Sequence, residues 1–223
     1  MLILGLDTST RSGSLALGRA GAVIADVRLD VRTSRSEGVL PGIDRALGAA
    51  GASAADLDAV VVASGPGSFT GVRVGAAVAK GLCFATGADL FAYSTLAAVA
   101  SLAPPAPRVC ALLDARGGRV YAAGYATAGR LTARFEPEVV ALERLLARLE
   151  PVERWSFAGD VGPFVAEIRA AGGSIARAPA DRSRAAALLA LVDAAPEAGR
   201  VPHPRDWEPA YVAAPAAERE EGW

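Results

Sequence analysis

Ser64-Gly65-Pro66-Gly67-Ser68-Phe69-Thr70-Gly71-Val72-Arg73-Val74-Gly75 lies between two apolar segments of different character. Before it, residues 58 to 63 read Asp-Ala-Val-Val-Val-Ala, a short β-branched run suited to a buried strand. After it, Val72 to Ala85 is apolar or small except at Arg73, Lys80 and Cys83, and predicts a helix. Pro66 fixes one backbone angle. Gly65 and Gly67 permit angles other residues avoid, or let another backbone come close. Ser68 or Thr70 can cap the helix. The stretch is therefore a strand-to-helix turn, and the fold alternates β with α.

The turn matches none of the common phosphate grips. A Walker loop needs Gly-Lys-Ser/Thr where Gly71-Val72-Arg73 stands, and the glycine spacing is not that of a dinucleotide fold. Ser68 directly follows Gly67, so it is not a nucleophile elbow. The helix behind it is more informative. Val72, Val74, Val78 and Leu82 cover much of its circumference, while Gly71, Gly75 and Ala79 form a smooth edge. Such a helix is either enclosed in its own domain or packed on another subunit.

Taken outward, the chain reads as two similar halves. Met1 to Asp7, Gly13 to Gly18 and Ala22 to Leu29 predict three strands. Val39, Leu40, Ile43, Leu47 and Ala50 mark a helix, and Asp89 to Tyr93 and Ser94 to Leu102 a last strand and helix. Ala103-Pro104-Pro105-Ala106-Pro107 is a boundary. After it the order restarts: strands at Val109–Asp114, Arg119–Thr127 and Arg130–Glu136, a helix through Leu142, Leu145, Leu146 and Leu149, and a strand at Trp155–Ala158. A helix ended by Gly172-Gly173, a strand from Ser174 and a helix capped by Ser183 complete it. The expected units are residues 1–102 and 103–223, with the last helix and tail of the second able to pack back on the first.

Two facing halves make a cleft, and Asp7 and Asp114 fall at the same place in each. Thr8, Ser9 and Thr10 can hold phosphate oxygens, and Asp7 or Asp114 a magnesium ion through water. Gly159 and Gly162, before a helix start, could admit a base. Against this, an aspartate at a strand end is commonly a turn residue. His203 is the single histidine, between two prolines, which excludes paired-histidine metal sites and leaves no credible Ser-His-Asp triad. The net charge of −1 provides no global field for nucleic acid, although a local patch is compatible with it. Cys83 and Cys110, both in apolar runs, read as buried thiols. No apolar run reaches membrane-spanning length, and the first residues lack a signal peptide's basic start, so a cytoplasmic protein is expected.

Ile3-Leu4-Gly5-Leu6-Asp7-Thr8-Ser9-Thr10, Gly65 to Gly75, Lys80-Gly81-Leu82, Ser94-Thr95-Leu96, Asp114-Ala115-Arg116 with Val120-Tyr121, and Glu208-Pro209-Ala210-Tyr211 together resemble the TsaB (YeaZ) family. That family supplies the accessory subunit of bacterial tRNA threonylcarbamoyladenosine synthesis. The resemblance implies two RNase H-like halves of the actin, Hsp70 and sugar-kinase (ASKHA) class. It implies a subunit with no catalytic residues and no metal of its own. Its partners would be the catalytic TsaD subunit, which modifies adenosine 37 in tRNAs reading ANN codons, and the ATPase TsaE. Contact with tRNA would come only through the complex, and a homodimer could form in its absence.

The resemblance places the partner interface on Val39 and Ile43 of the first helix. On the second it places Phe69, Thr70, Val72, Arg73, Val74, Ala77 and Lys80. No cofactor is required; ATP or ADP with magnesium could sit in the cleft or at a subunit interface. The alternative reading is an active ATPase or small-molecule kinase of the same fold, motivated by the matched aspartates. Two departures from the family pattern are Arg35 before Ser36-Glu37, where relatives carry histidine, and Ala213 after Tyr211-Val212, where they carry arginine.

Overall fold

The structure, a computed structural model, describes residues 1–30, 35–210 and 212. The first half runs β1 (Leu2–Asp7), β2 (Ser12–Arg19), β3 (Ala22–Asp30), α1 (Arg35–Ala49), β4 (Ala59–Ala63), α2 (Phe69–Thr86), β5 (Asp89–Tyr93) and α3 (Thr95–Ser101). The second runs β6 (Val109–Arg116), β7 (Arg119–Ala126), β8 (Thr132–Ala141), α4 (Leu142–Arg148), β9 (Ser156–Gly159), α5 (Val165–Ala170) and β10 (Ser174–Ile175). The helices α6 (Arg184–Ala194) and α7 (Pro196–Gly199) follow. Each half forms a five-stranded sheet, β3-β2-β1-β4-β5 and β8-β7-β6-β9-β10. In both, the first three strands pair antiparallel and the last two add in parallel. The internal repeat expected from element order is therefore present strand for strand, and the molecule is a two-lobed α/β protein of the actin-like class.

Period-two alternation assigns each strand's faces. Leu2, Leu4 and Leu6 of β1, with Val60 and Val62 of β4, join one core with Val39, Ile43 and Leu47 of α1 and Ala79 and Cys83 of α2. The opposite face presents Ile3, Ala59, Val61 and Ala63, and α6 lies on it. Gly5 faces α6 so closely that a Cβ there would stand 2.6 Å from the Ala185 carbonyl oxygen. The helix α3 packs beside α6 and covers β6, β7 and β9 of the second sheet. One cluster therefore runs from Ile3 and Val61 through Leu96, Val99 and Leu188 to Val109, Ala111 and Leu113. The outer face of the second sheet has its own core, with Leu142, Leu145, Phe157, Phe164 and Ile168.

Two boundaries differ from expectation. The third strand of the second half extends to Ala141 through Pro137. It is an edge strand, where a missing N–H breaks no interior ladder. Pro196 does not only end a helix but opens α7 at its first turn. Both cysteines are buried free thiols, as expected. Among the described residues no helix is long and apolar enough to cross a membrane.

Candidate functional site

Two sequence motifs that read as separate features touch each other. The turn after β1 carries Thr8 and Ser9, and the loop before α2 closes over it. The Thr8 hydroxyl donates to the Gly71 carbonyl at 2.6 Å, and the Ser68 N–H donates to the Ser9 carbonyl at 2.6 Å. A Cβ at Gly67 would lie 2.3 Å from Ser9 O, and one at Gly71 would lie 2.1 Å from Thr8 O. A Cβ at Gly75 would lie 2.5 Å from Thr8 Oγ1. The glycines are therefore spaces for the backbone and hydroxyl of this turn. Ser68 caps α2, its side chain accepting from the Gly71 N–H.

Thr8 and Ser9, expected to hold phosphate, have their hydroxyls occupied by the protein itself. They are 3% and 1% exposed, and their polar groups are engaged within the protein. Asp7 is fully buried. One of its oxygens accepts from the Ser9 N–H at 2.8 Å and from the Ser9 hydroxyl; the other takes the guanidinium of Arg184, at the start of α6. Arg184 also donates to the Thr10 hydroxyl and, at 2.9 Å, to the Ser12 carbonyl. The carboxylate expected to hold a magnesium ion through water is thus paired with an internal cation. Burial works against the charge on Arg184, but Asp7 and Asp160 outweigh it and hold the pKa above its ordinary value. Burial raises the Asp160 pKa, opposed by Arg184 and by a hydrogen bond with the Asp114 backbone, and reinforced by the charges of Asp114 and Asp7.

Asp114, in β6, is exposed and accepts from the Arg116 N–H at 2.7 Å, the turn role that was the alternative reading. Gly159 is demanded by packing: φ is +98° and a Cβ would meet the Leu112 carbonyl oxygen at 2.2 Å. Gly162 has open space around it. Among the described residues no group of three His, Cys, Asp or Glu side chains is placed to hold a metal ion.

The other candidate is the solvent side of α2. Its inner edge, Gly71, Val72, Gly75, Ala76, Ala79 and Cys83, is buried. Thr70, Arg73, Ala77, Gly81 and Phe84 face outward, with Phe69, Val74, Val78 and Leu82 half-buried beside them. The Arg73 guanidinium lies 4.0 Å from the centroid of the Phe69 ring. Three residues expected at the interface, Val39, Ile43 and Val72, are core side chains at 2–3% exposure and cannot reach a partner from the folded protomer. Lys80 faces the tail: its ammonium donates to the carbonyls of Arg205 and Trp207 at 2.7 and 3.0 Å. The expected docking segments, Ser36 to Ala50 and Phe69 to Phe84, also carry two exposed apolar side chains not singled out from sequence, Phe84, 74% exposed, and Leu40 of α1. Phe84 was legible as an apolar residue out of phase with the buried edge. Arg205, whose guanidinium lies 5.2 Å from the Phe84 ring centroid, carried no local signal. Arg35's side chain, Tyr211 and Ala213 lie outside the described residues.

A family model described as TsaD, tRNA N6-adenosine threonylcarbamoyltransferase, matches residues 31–191. The tRNA threonylcarbamoyladenosine biosynthesis protein TsaB of Escherichia coli K12 is 40% identical over 128 residues, 56% of this chain and 55% of that protein. The structure of YeaZ from Pseudomonas aeruginosa is 30% identical with a TM-score of 0.75, covering 94% of this chain and 99% of that one. The chain belongs to the TsaB/YeaZ family. A second Pseudomonas aeruginosa structure, of a protein described as similar to peptidase YeaZ, has a TM-score of 0.79 at 28% identity, over 95% of this chain and 99% of that one. The aligned part spans about half the length of the curated TsaB relatives it matches. TsaB/YeaZ membership agrees with the resemblance carried by Asp7 to Thr10 and Gly65 to Gly75. His203 is exposed, and its carbonyl accepts from the Asp206 and Trp207 N–H groups in the tail.

Proposed function

We propose that this chain is a non-catalytic subunit for threonylcarbamoylation of adenosine 37 in tRNAs reading ANN codons, and that it acts by binding a TsaD-type catalytic subunit. The observation that carries this reading is the outward side of α2, where Ala77, Gly81 and Phe84 leave an apolar, nearly smooth surface on a helix whose other side is fixed in the core. A surface of small residues admits a second helix closely. TsaB relatives are named for this biosynthesis, and a TsaD family model matches the chain, which supports pairing between related folds. The ATPase or kinase alternative loses its anchor because both oxygens of Asp7 are engaged internally. In the absence of its partner the same surface would pair two copies of this chain, and TsaE would join only the assembled complex.

The test is binding to the cognate TsaD-type protein, with tRNA modification as second readout. Ala77→Arg places a long cation on the surface without touching the core. It should weaken pairing at least about tenfold, on the order of 1.4 kcal/mol, with the thermal midpoint unchanged. Unaltered affinity, or modification at full rate without this chain, would reject the reading.

A further inference from the structure

On the second lobe, far in sequence from α2, three arginines line a surface cavity of about 330 Å³: Arg108, Arg134 and Arg148, with Leu149, Glu150 and Trp155. Their charges are not equivalent. Arg148 is committed to Glu138, one nitrogen at 3.0 Å and the other closer still, and its guanidinium lies 5.1 Å from the Phe135 ring centroid. Arg108 and Arg134 have no ion pair among the described residues. Arg108 is held 5.9 Å from the Trp155 ring centroid, and Trp155 in turn meets Phe135 edge to face at 5.9 Å. Two unpaired guanidinium groups thus converge on one concavity over an ordered aromatic base. The Arg148–Glu138 pair fixes its wall, and Glu150 is the one carboxylate in the lining.

We infer that this cavity is a phosphate-binding site, built by Arg108 and Arg134 and positioned by Trp155 and the Arg148–Glu138 pair. Guanidinium presents parallel N–H donors that match phosphate oxygens, and stacking on an aromatic ring leaves that edge free. Trp155 is only 7% exposed, too buried to accept a stacked base. The site therefore recognises phosphate and no base sequence, which suits either an RNA backbone or a free phosphate group. In a chain of net charge −1, such a patch is the local kind of attraction that the global charge does not supply. The inference does not depend on the partner-subunit reading, since it concerns the opposite lobe and the chain alone.

The experiment uses the full chain at low salt. One arm follows anisotropy of a labelled single-stranded RNA of about ten nucleotides; the other follows indole emission during titration with inorganic phosphate. Wild type should bind at least one probe, and Arg108→Ala with Arg134→Ala should weaken that binding at least tenfold. If RNA is the ligand, the log–log salt slope should also fall by about 1.4 for two lost phosphate contacts. Arg134→Glu, an exposed single change on the edge strand β8, repeats the test where the double variant is perturbed. Arg169→Ala, at an exposed position of α5, serves as a control that should change nothing. RNA binding resistant to millimolar phosphate assigns the site to a nucleic acid backbone, and phosphate binding without RNA binding assigns it to a small phosphate. Binding of neither probe, or full affinity in the arginine variants, overturns the proposal.

Discussion

Asp7 and Arg184 are 177 residues apart and form a buried ion pair. Removing one member of such a pair leaves the other charge without a partner in a poorly solvated place. Arg184→Ala should therefore cost about 3 kcal/mol in urea unfolding; a loss below about 1 kcal/mol would show that the pair carries little. Asp160 sits beside this pair with a pKa raised by burial. The native state then holds its proton at pH values where the unfolded chain has released it. Its contribution is intact below the ordinary carboxylate range and is lost as pH rises through the raised value. Asp160→Asn should accordingly raise the thermal midpoint most at neutral pH, with the gain shrinking toward pH 4, near the ordinary carboxylate value. A gain that is constant or larger in acid would contradict the assignment. Neither residue's role was legible from sequence. Asp7 announces itself by ending an apolar strand, but nothing near Arg184 distinguishes it from the other arginines, because its meaning lies in a contact across the whole chain.

At the scale of elements, α2 is decided at its start. Ser68 caps it, Gly87 ends it in the left-handed conformation at φ +78°, and Gly71 and Gly75 bring it against the turn after β1. Gly71→Ala forces a Cβ to within 2.1 Å of the Thr8 carbonyl oxygen. The helix must shift, and a cost of about 3 kcal/mol is expected, at the upper end for overpacking. Gly81→Ala tests the same substitution on the same helix with open space around it, and should stabilise by about 0.5–1 kcal/mol through helix propensity. Equal effects of the two, read by denaturant midpoints, would remove the close approach as explanation. The helix itself was readable from its apolar run and cap. The contact of its first turn with Thr8 was not, since a hydrogen bond between two loops 63 residues apart leaves no period in either. Val39 and Ile43 illustrate the opposite failure: their helical spacing identifies a packed face correctly, but spacing alone does not say which body it packs on. The core claims them, and Leu40, one position off, faces solvent.

The whole molecule is two sheets around a shared layer of two helices. The proline-rich boundary and the repeated strand order pointed to two lobes in sequence, with a last helix able to pack back on the first; α6 lies against β1, β2 and β4. That layer joins the lobes into one core, since Leu96 and Leu188 are fully buried between residues of both sheets. A fragment of residues 1–102 would expose Ile3, Val61 and Ala63, which α6 otherwise covers. It should fail to fold, binding a hydrophobic dye and showing no cooperative melting, while the full chain unfolds in a single transition. A fragment that melts cooperatively would show that the lobes are independent.

The helix α6 and the segment that Lys80 holds are made after the whole of the first sheet, so that sheet waits for its cover during synthesis. Translation at ordinary rates leaves the first sheet half covered for roughly 5–20 s between the emergence of β5 and that of α6. Only afterwards do residues 205 and 207 reach Lys80, and the outer surface of α2 attains its final setting. A chain that stops before residue 205 thus presents α2 without the contacts that hold Lys80.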